Sequence, residues 1–357
     1  MHFLIEIGHK ANWKFLAGAI LDFTCCQSLQ IPTTAIDTTQ VDLGGGARST
    51  EITRQEKTTM KTCSFAASSL LFAGLAATLH VSATEGGKTL YALGVNGFGW
   101  GALPPPGTYM MLDAQHYRSD DLKGNDGSSI PVPGFKVRAD ALVPNFIWVT
   151  SQELLGGSLA LHSIVPLVTL DVSAAGRSQR KTGVGDIVFG PAIGWHLSPN
   201  LHTVAGIDIF APTGEYDKDD LANVGGNYWA THMVGGFSWI DVKGFNADAK
   251  VMYGINARND DTDYRSGNEL IVDYAAGWAL GNGWTVGVGG YVYQQLTDDE
   301  QDGHTVRDNK GSARAIGPSV RYDSGQGWFL TVKGYGETGV RNRAEGDALW
   351  LRAVFPL

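Results

Sequence analysis

The stretch Glu269–Leu280, ELIVDYAAGWAL, decides the fold class because its apolar and polar side chains alternate. Glu269 and Asp273 lie on one face. The other face carries Leu270, Val272, Tyr274, Ala276, Trp278 and Leu280. A β-strand points successive side chains to opposite sides, whereas no helix places residues of this period on one side. The alternation therefore predicts a strand that lies between an apolar and a polar environment.

The same alternation recurs along the chain and predicts twelve strands. In 245–257, for example, Val251 opposes Asp248 and Lys250. Many of these segments exceed the roughly 5–6 residues of an ordinary strand, and a tilted membrane strand needs about 9–11 residues. The predicted strands lie near 107–118, 136–149, 158–172, 184–197, 200–212, 227–241, 244–257, 267–280, 283–297, 312–323, 327–339 and 346–357.

The connections between these strands alternate in length. Short turns rich in Gly, Asn, Asp and Pro lie at 197–200, 241–244, 280–283 and 323–327. Long, charged connections lie at 119–135, 173–183, 213–226, 258–266, 298–311 and 340–345. Bacterial outer-membrane barrels have short periplasmic turns and long extracellular loops. We therefore expect an all-β fold, a transmembrane antiparallel up-and-down β-barrel over 107–357, with both ends on the periplasmic side.

Aromatic side chains at the strand ends fit a membrane interface, where Trp and Tyr form girdles. Trp at strand ends also packs soluble cores, but five on the same side of the strands favour a girdle. We expect Tyr291 and Tyr293 in the opposite, outer girdle. The tryptophans near the short turns are Trp195, Trp239, Trp278, Trp284 and Trp328.

An export signal is predicted at 60–83. Met60-Lys61-Thr62 forms a positive head, an apolar run follows, and Val81-Ser82-Ala83 is a small-x-small cleavage site. We therefore expect the mature chain to begin near Thr84, and residues 1–59 to be an over-extended reading frame without ordered structure. The alternative is a cytoplasmic segment followed by a membrane anchor through 64–79.

Composition agrees with export and restricts the partners. Cys25, Cys26 and Cys63 are the only cysteines and precede the cleavage site, so the mature chain has neither disulfides nor a thiolate metal site. The net charge of −9 argues against nucleic acid, which needs a basic face. The expected partners are outer-membrane lipid, lipopolysaccharide and the barrel-assembly machinery.

Residues 84–106 are rich in Gly and Pro and cannot form a strand of their own. They also carry apolar side chains that a free tail would not need, with Leu93, Phe98 and Trp100 as the candidates. We expect this segment to occupy the periplasmic mouth or the lumen as a plug. The alternative is a loose periplasmic tether.

No catalytic group stands out. The sequence has no Gly-x-Ser-x-Gly and no His-Glu-x-x-His, and its histidines are dispersed. The acidic loop 213–226 lacks the Gly and Glu spacing of a calcium loop. We expect no enzyme activity, no metal and no cofactor, although a barrel-embedded enzyme that uses His116 or His232 stays an alternative.

Polar side chains on the predicted inner faces are the candidate functional residues. They form either a salt-bridge network that braces the barrel or groups that act directly in permeation. They are Asp186, Asp208, Asp248, Lys250, Glu269, Asp273, Arg321, Lys333, Glu337 and Arg352.

Four stretches resemble a family named for the meta-pathway of phenol degradation, which includes SphA-like outer-membrane β-barrel proteins. They are 85–109, 183–187 (GVGDI), 211–216 (APTGEY) and 266–270 (SGNEL). The resemblance covers essentially all of 84–357. It implies an outer-membrane barrel linked to uptake of hydrophobic or aromatic compounds, and it carries over no catalytic residues.

Three functional readings follow for a bacterial outer-membrane location. The first is a channel or transporter for passive uptake of small hydrophobic or aromatic solutes. The second is a structural or adhesive barrel without transport, whose loops bind lipopolysaccharide or another cell. The third, and least supported, is a barrel-embedded lipid-modifying enzyme.

Overall fold

The computed structural model describes residues 85–357. The predicted signal peptide at 60–83, the cleavage point and residues 1–59 lie outside this range. After a 3-10 turn at Glu85–Gly87, the described chain is built from β-strands. Between residues 85 and 357, no helix is long and apolar enough to cross a membrane.

The strands are numbered along the chain. They are β1 (Gly107–Leu122), β2 (Lys136–Leu154), β3 (Gly157–Ile164), β4 (Leu167–Ala174), β5 (Arg177–Val184), β6 (Ile187–His196), β7 (Leu201–Ala211), β8 (Ala230–Trp239), β9 (Phe245–Asn256), β10 (Arg258–Asn259), β11 (Tyr264–Arg265), β12 (Glu269–Ala279), β13 (Trp284–Gln295), β14 (Asp299–Gln301), β15 (His304–Val306), β16 (Ser312–Asp323), β17 (Phe329–Arg341) and β18 (Ala344–Pro356).

The large sheet closes on itself. Its strands pair antiparallel with their chain neighbours, and β1 pairs with both β2 and β18, so the first and last strands meet. Both β3 and β4 pair with β2, so they form one interrupted membrane strand, and β5 and β6 form the next one. The described chain is therefore a twelve-stranded barrel, which confirms the predicted fold.

The two interrupted strands break side by side, at Val165-Pro166 and Gly185-Asp186. Pro166 has no N–H to donate to a ladder, and its carbonyl accepts a hydrogen bond from the Gly185 N–H at 2.8 Å. Beyond the break, β5 pairs with β4 alone among the described strands. The loop between β7 and β8 lies against its other edge, where Lys181 contacts Asp220 at 2.5 Å.

Two of the predicted long loops are wrong. The region 173–183 is the tip of the β4–β5 hairpin, which turns at Ala175 (φ 51°) and Gly176 (φ 80°). Polar residues occupy both faces of β5, and this removes the alternation by which a membrane strand is recognised. The region 340–345 is a turn of two residues, Asn342 and Arg343, between β17 and β18.

The loops after β9 and β13 carry a small sheet of their own. In it β10 pairs with β11, β11 with β14, and β14 with β15. These strands are only two or three residues long. They lie at the end of the barrel that carries the long loops, which is the extracellular end in barrels of this type.

The two faces of the wall follow the predicted alternation. In β9, Val251 is 43% exposed, while its neighbour Lys250 is 6% exposed and points inward. Trp239, Trp278, Trp284 and Trp328 are exposed near the short turns, as a girdle requires. Tyr291 and Tyr293 correct the expected outer girdle. They share the inward face of Thr285 and are almost fully buried.

Residues 85–106, which we call the N-terminal segment, run through the interior of the barrel. The segment starts beside the long loops, where Glu85 contacts Tyr216, Asn259 and Thr262. It ends beside the short turns, where β1 begins. Its side chains join a buried cluster with wall residues such as Phe210, Ile271 and Trp350. The barrel core is therefore formed largely between this segment and the wall.

Candidate functional site: the barrel interior around the N-terminal segment

Two wall residues hold the backbone of the turn Gly94–Asn96 from opposite sides. Asp273 on β12 accepts hydrogen bonds from the backbone N–H groups of Gly94 and Asn96, each at 3.0 Å. Lys333 on β17 donates to the carbonyl oxygens of Gly94 at 2.7 Å and Asn96 at 2.9 Å, and also to that of Val95. Because charged partners strengthen hydrogen bonds, this turn is firmly attached to the wall.

A buried ion pair supports the same turn. Arg352 on β18 binds Asp113 on β1 with two parallel hydrogen bonds, from Nε at 2.7 Å and from Nη2 at 3.0 Å. Its third nitrogen, Nη1, donates to Oδ1 of Asn96 at 3.2 Å. Tyr91 donates to Asp273 at 2.5 Å. Removing one member of a buried pair leaves the other charge uncompensated and costs about 3–5 kcal/mol.

A second attachment lies nearer the periplasmic end. Oδ1 of Asp248 on β9 accepts a hydrogen bond from the backbone N–H of Gly99 at 2.8 Å and another from the Ser238 hydroxyl. The Ser238 oxygen in turn accepts from the N–H of Gly101 at 2.7 Å. Lys250 lies 4.9 Å from the ring centre of Tyr91 and 5.2 Å from that of Trp100.

Large side chains of the segment lie over glycines of the wall. A Cβ on Gly277 would come within 2.8 Å of Phe98, and one on Gly194 within 2.7 Å of Leu103. Trp100 covers Gly236 in the same way. Glycine in a strand interior marks a close approach of another group. The wall is thus shaped for the segment, which a loose tether would not need.

At the extracellular end the segment meets the loops. Glu85 accepts hydrogen bonds from the Tyr216 hydroxyl at 2.9 Å and the Thr262 hydroxyl at 2.6 Å. Lys88 donates to the carbonyl oxygens of Asn223 and Gly225. Burial lowers the pKa of Lys88 to about 8, although the charges of Asp186 and Glu85 oppose that shift. Burial, and then the carboxylate of Glu85, raise the pKa of Tyr216.

Two cavities lie beside the segment, and Tyr91 and Ala92 line both. The outer cavity, about 720 Å³, is bounded by β1, β2, β4, the tops of β17 and β18 and the loop 216–223. The inner cavity, about 190 Å³, reaches the wall break at Pro166 and is lined by Asp208, which contacts His162 and Lys250. The segment therefore lines both of these cavities, the outer and the inner chamber.

The ten predicted inner residues all face the interior in the structure. Asp248, Asp273, Lys333 and Arg352 bind the segment directly. Glu269 lies 3.3 Å from His232, Lys250 lies 3.5 Å from Asp208, and Arg321 pairs with Asp323 at 2.8 Å. Three of the ten residues remain. Asp186 accepts hydrogen bonds from the N–H groups of Gly214 and Gly226, and Asp208 contacts His162. Glu337 accepts hydrogen bonds from the hydroxyl groups of Tyr117 and Tyr291.

The plug candidates also face the lumen. Leu93 is 8% exposed, Phe98 is 4% exposed, and Trp100 is half-buried. Sequence reasoning missed the interior residues Asp113 and Tyr117 on β1 and Arg343 in the last extracellular turn. Its inner-face assignment came from clear alternation, which β1 lacks, and Arg343 lay in a predicted loop.

Within residues 85–357 no three His, Cys, Asp or Glu side chains converge as metal ligands. His116 pairs with Asp140 at 2.7 Å, and both are exposed. His232 lies buried beside Glu269.

A family model described as "Putative MetA-pathway of phenol degradation" matches residues 119–353, which is more than half of the chain. The chain belongs to this family. The match confirms the resemblance drawn from the sequence. No curated protein sequence matches the chain.

The chain is similar to several solved structures, of which the first described here shares its fold. An outer membrane channel from Pseudomonas putida F1 is 19% identical, covers 72% of this chain and 98% of its own, and has a TM-score of 0.65. The transport unit of the autotransporter AIDA-I from Escherichia coli is 7% identical, covers 73% and 93%, and has a TM-score of 0.47. The CymD monoaromatic hydrocarbon channel is 8% identical, covers 71% and 89%, and has a TM-score of 0.35.

Proposed function

We propose that this protein is an outer-membrane channel for the passive uptake of small hydrophobic or aromatic compounds. The observation that carries the proposal is the outer cavity. It has the volume of a small-molecule site, which is typically about 300–1,000 Å³, and its walls include Leu93, Val137, Leu170 and Tyr335. A polar water-filled lumen would not need such apolar lining.

The family and the fold support this function. The family description names phenol degradation, and the similar structure from Pseudomonas putida F1 is an outer membrane channel. A phenol-degrading cell must bring aromatic molecules across a surface of lipopolysaccharide. A barrel whose interior offers an apolar chamber provides a path for such molecules.

We propose further that the N-terminal segment restricts passage. It lies between the two chambers, and its turn Gly94–Asn96 is held by Asp273 and Lys333. A small solute has to pass Tyr91, which lines both chambers. Lipid and lipopolysaccharide around the barrel, and the machinery that assembles it, are the partners this role requires.

Deleting residues 86–103, while keeping the export signal and its cleavage site, should open the lumen. We expect single-channel conductance in planar bilayers to rise and selectivity among solutes to fall, because Tyr91 and its neighbours no longer divide the chambers. Insertion into the outer membrane and resistance of the barrel to unfolding by detergent serve as the folding controls. Unchanged conductance, with protease removing the segment from intact folded protein, would show a tether.

Uptake itself is measured in cells. Cells whose outer membrane carries the protein should accumulate a radiolabelled neutral aromatic compound, such as benzyl alcohol, faster than cells with an empty vector. The matched control is the same barrel with Gly235→Ala, where the added Cβ would meet open space. Equal uptake with and without the protein would refute the transport function.

A further inference from the structure

Arg343 lies in an unusual position in the outer cavity. It occupies the turn between β17 and β18, folds inward, and its guanidinium group lies 4.8 Å from the ring centre of Tyr293. The side chain lines the cavity. Its Nε atom is buried and has no hydrogen-bond partner. A buried donor without a partner is unfavourable, so such an atom calls for an explanation.

No carboxylate of the described chain forms an ion pair with Arg343, although the charge of Glu337 acts on it. Among residues 85–357, no Asp or Glu oxygen lies within 4.0 Å of the Arg343 nitrogens, and no ion pair forms. Glu337 is nearby, but its oxygens are already occupied. Oε2 accepts from the Tyr117 hydroxyl at 3.0 Å and the Gly346 N–H at 2.7 Å, and Oε1 accepts from the Tyr291 hydroxyl.

The surroundings of Arg343 are apolar and aromatic. The same cavity is lined by Leu93, Val137, Ala139, Leu170 and Val172, which belong to the segment and to the two strands β2 and β4. These side chains offer a surface on which a flat ring can pack. The cavity therefore combines an apolar wall with Arg343, whose guanidinium forms no ion pair within the described chain, while Lys88, Arg177 and Lys218 also line it.

We propose that the outer cavity binds small aromatic carboxylates. The carboxylate accepts two hydrogen bonds from Arg343, whose planar fork matches that geometry, and the ring packs on the apolar wall. This inference rests on the proposed channel function and names the substrate class of its outer chamber. It assigns to Arg343 the role of a specificity-determining residue that admits the anion ahead of a neutral ring of the same size.

Binding is tested on the full folded barrel by isothermal titration calorimetry. The probes are benzoate and benzyl alcohol, which share a ring and differ in charge. Wild-type protein should bind benzoate at least about tenfold more tightly, because a charge-assisted pair contributes about 1.5–3 kcal/mol and each 1.4 kcal/mol is tenfold. Equal affinity for the two probes would overturn the proposal.

Variants separate the role of Arg343 from a general effect of charge. Arg343→Met should weaken benzoate binding about tenfold and leave benzyl alcohol within about twofold, whereas Arg343→Lys should keep part of the preference. Arg341→Met is the matched control, because Arg341 is exposed and does not line the cavity. Loss of benzoate preference in Arg341→Met, or equal loss of both probes in Arg343→Met, would refute the assignment.

The outcomes distinguish this inference from the channel function. If benzoate bound through Arg343 but neutral aromatic compounds were not taken up, the proposed site would be supported and the channel function refuted. If benzyl alcohol were taken up but benzoate were not bound more tightly, the channel function would be supported and the proposed site refuted. Each result is read from a different measurement, calorimetry for the site and cellular accumulation for the channel.

Discussion

At the scale of single residues, adjacent positions of one strand face opposite environments. Val251 on β9 points to the lipid, whereas Asp248 and Lys250, which precede it on the same strand, point to the interior. The lipid layer has no water to solvate a charge. The interior side chains, by contrast, have the segment and each other as partners. A charge is therefore tolerated or costly according to which face it occupies.

The loss of stability caused by a charged side chain should depend on the face of the strand that it occupies. Val251→Arg should lower the free energy of unfolding in lipid by about 2–4 kcal/mol if the position is near the bilayer midplane. Asp248→Asn should cost far less, because the amide oxygen can still accept from the Gly99 N–H and the Ser238 hydroxyl. The measurement is reversible denaturant unfolding in lipid. Equal tolerance at both positions would contradict the assigned faces.

At the scale of elements, the N-terminal segment and the strands fit each other closely. Gly194 on β6 is the clearest case, because the three atoms nearest to a Cβ there all belong to Leu103, with Cγ and Cδ1 at 2.7 Å. Side chains of the segment also lie over Gly277 and Gly236, but a Cβ at either glycine would collide with neighbouring backbone atoms as well. A substitution at Gly194 therefore tests mainly the contact with the segment.

A pair of substitutions at this contact should show compensation. Gly194→Ala should loosen the segment, because the new methyl group overlaps Leu103 and overpacking costs about 1–3 kcal/mol. Adding Leu103→Ala makes room for that methyl group and should restore part of the stability. The measurement is hydrogen exchange of the Gly99 and Gly101 amides, which donate to Asp248 and Ser238.

Gly235→Ala, with open space at its Cβ, is the matched control and should leave exchange unchanged. If the double variant exchanged as fast as Gly194→Ala or faster, Leu103 would not occupy this site in solution.

At the scale of the whole molecule, the direction of the segment bears on export. Glu85 lies among the extracellular loops, and its N–H donates to the Ser266 hydroxyl at 3.2 Å. An uncleaved anchor in the inner membrane would have to reach across the periplasm and through the full height of the barrel. Cleavage just before Glu85 removes that difficulty, since little chain then precedes the first loop contact.

We therefore expect the mature protein to begin at or near Thr84. N-terminal sequencing of protein purified from outer membranes measures this directly. The physical reason is the positive head, apolar run and Val81-Ser82-Ala83 site, together with the position of Glu85. Recovery of peptides from residues 1–59 in the mature protein would overturn the expectation and favour the anchored alternative.

The sequence by itself determined the barrel and, in the strands whose alternation is clear, the side of the wall that a residue occupies. The reason is local. In β9, β12 and β17 consecutive side chains alternate between apolar and polar, because one face of each strand contacts lipid and the other faces the interior. Ten inner residues could be named on that basis. Turn residues similarly marked the periplasmic end.

Only the tertiary structure decided what those inner residues do. Asp273 meets Tyr91 from 182 positions away, and Lys333 meets Gly94 from 239 positions away. The break at Pro166, the protruding β4–β5 hairpin and the inward turn of Arg343 likewise depend on distant partners. No local period encodes such contacts, because they arise only when the closed wall brings remote strands around the segment.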